Sequence, residues 1–136
     1  MAIDFKTFNL VVDHVLRDGK PVMIRGRHGI GKSQVVYQTA KRWNLPVVER
    51  RASQMTEGDL IGLPQVEGNA TKWLAPDWFR RACDEPVFLF LDEVDRAIPE
   101  VRQGIMELTD SRKLNGWHLH PETQIVAAVN GGEECA

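Results

Sequence analysis

The run GRHGIGKS, from Gly26 to Ser33, places three glycines, a lysine and a serine where a backbone can wrap an anion. Gly26, Gly29 and Gly31 admit backbone conformations that bulkier residues cannot reach. The N–H groups of Gly26, Arg27, His28, Gly29, Ile30, Gly31, Lys32 and Ser33 can then turn inward on a polyphosphate. Lys32 supplies a cation for the β- and γ-phosphate oxygens, and the Ser33 hydroxyl can ligate Mg2+. The His28 side chain is expected to face solvent. The spacing is G-x-x-x-x-G-K-[ST], the phosphate-loop pattern. A chance match arises on the order of once in a few hundred chains of this length, so the surrounding elements decide its meaning.

Two further groups of residues belong with that loop. FLFLDE, Phe88 to Glu93, sets two carboxylates at the carboxyl end of an apolar strand, where open α/β sheets bind their ligands. Asp92 is placed to hold Mg2+, and Glu93 to orient an attacking water or accept its proton. Adjacent strand residues point to opposite faces, so both reach one site only if the chain turns there. Asn130 ends QIVAAVN, and its amide could hydrogen-bond a γ-phosphate or the water. The glycines after it also fit an ordinary turn.

These residues need a scaffold that brings strand ends together. Phe5, Phe8, Val11, Val12, Val15 and Leu16 recur at helical spacing from Asp4 to about Arg17, one face of an amphipathic helix. Asp18-Gly19-Lys20-Pro21 stops it. Val22–Ile24 reads as a short buried strand leading into the loop, and the loop opens a helix near Lys32 that runs to Trp43. Pro46–Arg50 reads as a second strand. Thr56–Gly62 resembles a short helix with a glycine end. Gly68-Asn69 lies between β-compatible flanks and predicts a hairpin within 63–75. Pro76–Cys83 and Ile98–Leu108 fit helices with proline in the first turn. Val87–Leu91 has no polar residue, so both its faces are expected to be buried. Leu114–His120 fits a β excursion around Asn115-Gly116, and Gln124–Val129 a further buried strand. Alternating strands and helices predict an α/β fold with a mostly parallel sheet.

Composition sets the outer bounds. The 136 residues suit one domain, with 43% hydrophobic and 26% charged residues and a formal net charge of −2. That balance argues neither for a nucleic-acid coat nor for a membrane patch, although Arg50, Arg51, Arg80 and Arg81 could form a local basic patch. No apolar run approaches the ~20 residues that span a bilayer. Cys83 and Cys135 stand far apart and form no CxxC pair, which fits a reducing cytoplasm. His118 and His120 alternate on one strand face without a carboxylate or cysteine spaced to complete a metal site. Trp43, Trp73, Trp78 and Trp117 read as core or interface aromatics rather than base-stacking platforms.

The phosphate loop, the strand ending in Asp-Glu and the later strand ending in Asn, in this order, resemble the AAA+ ATPases. GDLIG, the hairpin up to Trp73, LDEVDRAIPEVRQGIMEL and HPETQIVAAVN resemble its MoxR-like and dynein-related branch, from Val22 almost to the end. That resemblance implies a P-loop three-layer sandwich with strand order 5-1-4-3-2. It implies ATP and Mg2+ as cofactors, ATP hydrolysis, and assembly into a ring, usually a hexamer. Lys32, Glu93 and Asn130 would be catalytic, with Asn130 as the sensor-1 residue; Ser33 and Asp92 would hold the metal. The family's fifth strand, arginine finger and helical lid come after sensor 1, and this sequence ends six residues beyond Asn130, so one domain over 1–136 lacking those parts is expected, with weak turnover by itself. Two function classes follow. One is an ATP-driven remodeller of a protein client, of the kind that carries a von Willebrand A domain. The other is a nucleotide-dependent assembly module with little turnover, serving DNA replication or packaging.

Overall fold

A computed structural model describes residues 12–26 and 31–129. The candidate positions Arg27, His28, Gly29, Ile30 and Asn130, and most of the amino-terminal helix, lie outside the described residues. Residues 12–17 are helical (α1) and end in a turn at Asp18-Gly19, with Gly19 at φ 74. There follow β1 (Val22–Arg25), α2 (Lys32–Arg42), β2 (Val47–Arg51), α3 (Glu57–Ile61), β3 (Leu63–Glu67), β4 (Ala70–Leu74), α4 (Asp77–Asp84), β5 (Phe88–Asp92), α5 (Pro99–Ser111), β6 (Lys113–Leu114), β7 (Trp117–His118) and β8 (Gln124–Val129).

β1, β8, β5 and β2 form a parallel four-stranded sheet in that order, while β3–β4 and β6–β7 are separate antiparallel hairpins. This is the 1-4-3-2 part of the expected order. Among the described residues β1 pairs only with β8, and Met23 on it is 59% exposed.

β5 carries the core on both faces, as its unbroken apolar run requires. Phe88 and Phe90 join Val126 and Ala128 of β8 against Val12 and Leu16 of α1 and Val36 and Ala40 of α2. Leu89 and Leu91 join Ile125 and Ala127 against Leu60, Phe79, Val101, Ile105 and Leu108 of α3, α4 and α5. Each fully buried side chain of this size contributes about 1.5–3 kcal/mol. The result is three layers, with α1 and α2 on one side and α3 to α5 on the other.

Three strands differ from the sequence expectation, each by one residue at one or both ends. β2 starts at Val47 because Pro46 has no N–H for the ladder, although its carbonyl accepts from Phe88 N at 2.8 Å. β1 extends to Arg25. β5 runs Phe88–Asp92, so Asp92 is the last residue of the ladder, opposite Arg51. The hairpin is as expected, turning at Gly68-Asn69. Its base is fixed by Gly62 at φ 83, where a Cβ would lie 1.8 Å from the Leu74 carbonyl oxygen. α3 is closed by a capping box: Thr56 Oγ1 accepts from Asp59 N, and Asp59 Oδ2 accepts from Thr56 N. The four tryptophans are half-buried, and Trp43, Trp78 and Trp117 donate from Nε1 to Asp13, the Asp59 carbonyl and the Trp73 carbonyl.

Candidate functional site

α2 begins where the glycine-rich run ends. Gly31 is its N-cap at φ 85, a left-handed conformation suited to glycine. Among the described residues no side chain caps this end, so the first-turn N–H groups and the positive end of the helix can face an anion.

Lys32, the first residue of α2, turns back toward the carboxyl ends of β1 and β8. The residue is 9% exposed. Its Nζ donates to the Gly26 carbonyl at 2.9 Å and the Val129 carbonyl at 3.1 Å. Among the described residues no carboxylate pairs with it. A buried ammonium held only by neutral carbonyls is an unfavourable arrangement, and a phosphate supplies the missing counter-charge. The next residue, Ser33, is half-buried.

Asp92 lies at the same end of the sheet. Arg25 of β1 is level with Val129, and Ala127 with Leu91, which sets Asp92 level with Ile24, about two residues short of Gly26. β8 alone separates β1 from β5. At ~4.8 Å per strand the two ends are on the order of 10 Å apart, a span that a triphosphate with its magnesium fills. Strand alternation puts Asp92 on the face of Phe88 and Phe90, the face covered by α2. Tyr37 of α2 stands edge-on to Phe90 with centroids 6.5 Å apart. The Tyr37 hydroxyl donates to Glu49; that bond first, then burial and the charges of Glu49 and Asp92, raise its pKa. The residues present therefore fit a magnesium nucleotide: open amides and a cation for phosphate, with a serine hydroxyl and a carboxylate for the ion.

Glu93 does not continue the strand. It adopts φ 54, ψ 40, a left-handed conformation that costs a residue with Cβ about 1–2 kcal/mol. Its N–H donates to Asp92 Oδ1 at 2.8 Å, which offsets part of that cost and fixes the Asp92 carboxylate. The Glu93 carboxylate reaches sideways to Arg51 of β2, with Nε–Oε2 at 2.9 Å. The turn needed to free Glu93 from the strand face is thus present, and its carboxylate is engaged by a cation.

Arg51 is the site residue that sequence reasoning missed. It appeared only as part of a candidate basic patch. The register Arg51↔Asp92 puts it beside the acidic pair, and only a pairing of β2 with β5 could have signalled it. Arg50, its neighbour, goes elsewhere and lies over the Trp78 ring at 5.8 Å. A broad groove between residues 19–21, α3 and α5 is lined by Glu57, Glu100, Glu107 and Asp110 with Lys20 and Arg112; its carboxylates outnumber its cations, a balance that does not favour phosphate.

Comparison with known proteins agrees with this geometry. The chain is 30% identical over 99 residues to midasin of Giardia intestinalis, covering 72% of this chain and 2% of midasin. It is 30% identical over 104 residues to the denitrification regulatory protein NirQ of Pseudomonas aeruginosa, covering 76% of this chain and 40% of that protein. NirQ of Stutzerimonas stutzeri is 31% identical over 96 residues, covering 70% and 34%. The chain thus spans less than half the length of these curated relatives. Two mutant forms of Thermotoga maritima RuvB share the fold, each with a TM-score of 0.62. One is 15% identical and covers 91% of this chain and 37% of RuvB; the other is 14% identical and covers 94% and 40%. The family model for the AAA domain of the dynein-related subfamily matches residues 21–132, from the start of β1 past the end of β8, and the chain belongs to that subfamily of AAA+ domains.

Proposed function

We propose that the chain binds Mg-ATP between α2 and the carboxyl ends of β1, β8 and β5, hydrolyses it, and couples the turnover to remodelling of a partner macromolecule. The observation that carries this reading is Lys32, a buried ammonium with two carbonyl partners and no carboxylate among the described residues. Bound Mg-ATP supplies the phosphoanhydride bond to be broken. The open amides of the loop and of α2 hold its phosphates, and Lys32 neutralises their charge. Ser33 and Asp92 hold the ion. Glu93, once released from Arg51, accepts the proton of the attacking water at its carboxylate. Asn130 hydrogen-bonds the γ-phosphate or the water. The assembly is a homo-oligomeric ring, a hexamer, in the cytoplasm, and its client is a protein, with a von Willebrand A domain as the candidate class. No helix among the described residues is long and apolar enough to cross a membrane.

The test is steady-state phosphate release by the full-length protein, with ATP affinity measured by titration calorimetry. Glu93→Gln should bind ATP and stall, and Lys32→Ala should lose at least tenfold in affinity. Equal turnover by wild type and Glu93→Gln, or unchanged affinity in Lys32→Ala, would refute the assignment. The Arg51–Glu93 ion pair engages the candidate base, which supports a second reading with little turnover, a nucleotide-dependent binding and assembly module; replication or packaging of DNA is the candidate setting. Tight ATP binding with no phosphate release under any partner would select it.

A further inference from the structure

The Val129 carbonyl, the last acceptor of β8, receives two donors. Gly26 N–H reaches it at 3.3 Å and Lys32 Nζ at 3.1 Å. The same ammonium also holds the Gly26 carbonyl at 2.9 Å. The β1–β8 ladder closes at Arg25↔Val129, so past this rung Lys32 and one backbone amide tie the two strands together. β1 has no second neighbour among the described residues, and the tie is all the more important for holding its carboxyl end.

An anionic phosphate oxygen attracts an ammonium more strongly than a neutral carbonyl does, and it supplies the counter-charge that no carboxylate among the described residues provides. We infer that Lys32 is a latch as well as a phosphate ligand. Its ammonium pins the carboxyl end of β8 to β1; phosphate competes for that ammonium, draws it away from Val129 and leaves that end to the Gly26 N–H alone. The segment that leads to Asn130 thereby responds to whether the site is filled. The inference rests on the phosphate-site reading above and adds to it a structural change at a named carbonyl.

The experiment is NMR of the 13C,15N-labelled chain, following the carbonyl 13C shifts of Val129 and Gly26 while Mg-ADP is added, with calorimetry to record binding. A carbonyl that loses a cationic donor moves upfield. The expected result is that Mg-ADP moves Val129 upfield, toward the position it occupies in nucleotide-free Lys32→Met. Nucleotide-free Lys32→Met should also melt about 3 °C or more below wild type, a shift of the size one or two lost hydrogen bonds produce in a domain of this length. If Lys32 is merely a buried charge awaiting phosphate, its removal leaves the melting temperature unchanged or raises it, which overturns the latch. Binding of Mg-ADP with a stationary Val129 carbonyl also overturns it, while leaving the phosphate site intact. Absence of Mg-ADP binding overturns both readings. Should Lys32→Met fail to fold, the wild-type titration alone decides by the direction of the Val129 shift.

Discussion

Replacing Arg51 with alanine should release Glu93 and raise turnover modestly. The ion pair is short, at 2.9 Å, but its partners differ in exposure: the Arg51 side chain is 53% exposed and that of Glu93 17%. Water and salt screen a pair placed this way, and it contributes no more than about 1 kcal/mol. If the pair restrains Glu93 in the ground state, its removal raises the population of free carboxylate by at most about fivefold. The expected result for Arg51→Ala in the full-length protein is therefore a kcat increase of about two- to fivefold, with KM little changed. Arg51→Lys should fall between, because an ammonium pairs with Glu93 without the fixed fork of a guanidinium. Raising the salt concentration should shrink the difference between wild type and Arg51→Ala, since the restraint is electrostatic. The assay is steady-state phosphate release at saturating ATP, with thermal melts to confirm that each variant folds. A fall in kcat toward the Glu93→Gln level would refute the restraint and make Arg51 a contributor to the reaction. A rise far above tenfold would also refute it, since a half-exposed pair cannot supply that much energy.

Two other predictions test the fold around the site. Gly62→Ala should destabilise the chain by at least about 3 kcal/mol: the conformation at φ 83, ψ −159 is essentially restricted to glycine and costs about 1–3 kcal/mol, and the new Cβ would meet the Leu74 carbonyl oxygen at 1.8 Å; a loss under about 1 kcal/mol in urea denaturation would contradict this. Cys83 is pushed up to about 11 from 9.0, by burial first and then by the charge of Asp84, so at pH 8 it should carry about 100-fold less thiolate than the unfolded chain. Its iodoacetamide alkylation, followed by peptide mapping, should keep rising with pH toward 11 instead of levelling near 9; native and urea-unfolded rates that agree at pH 8 would refute it.

The candidate phosphate loop was legible in the sequence because its pattern is local chemistry. Glycines at set offsets, with a lysine and a serine at the next positions, match the phosphate-loop pattern whichever strands surround them. The apolar run ending in Asp92-Glu93 announced a buried strand with a polar tip, since only a strand covered on both faces tolerates five apolar residues in a row. The hairpin was legible for the same reason, from Gly68-Asn69 between short flanks. Boundaries slipped by one residue where a ladder partner, and not the residue itself, sets the end, as at Asp92 opposite Arg51.

The tertiary structure decided what depends on elements far apart in the chain. Parallel strands are joined through long crossovers, so their order and register follow from how the two cores pack on β5, and no local pattern encodes them. That packing sets β2 beside β5 and so brings Arg51 to Glu93. It sets β8 between β1 and β5, which gives Lys32 the Val129 carbonyl and holds Asp92 on the face of α2. The sequence by itself determined which groups could meet a magnesium nucleotide; the fold determined which partners hold those groups.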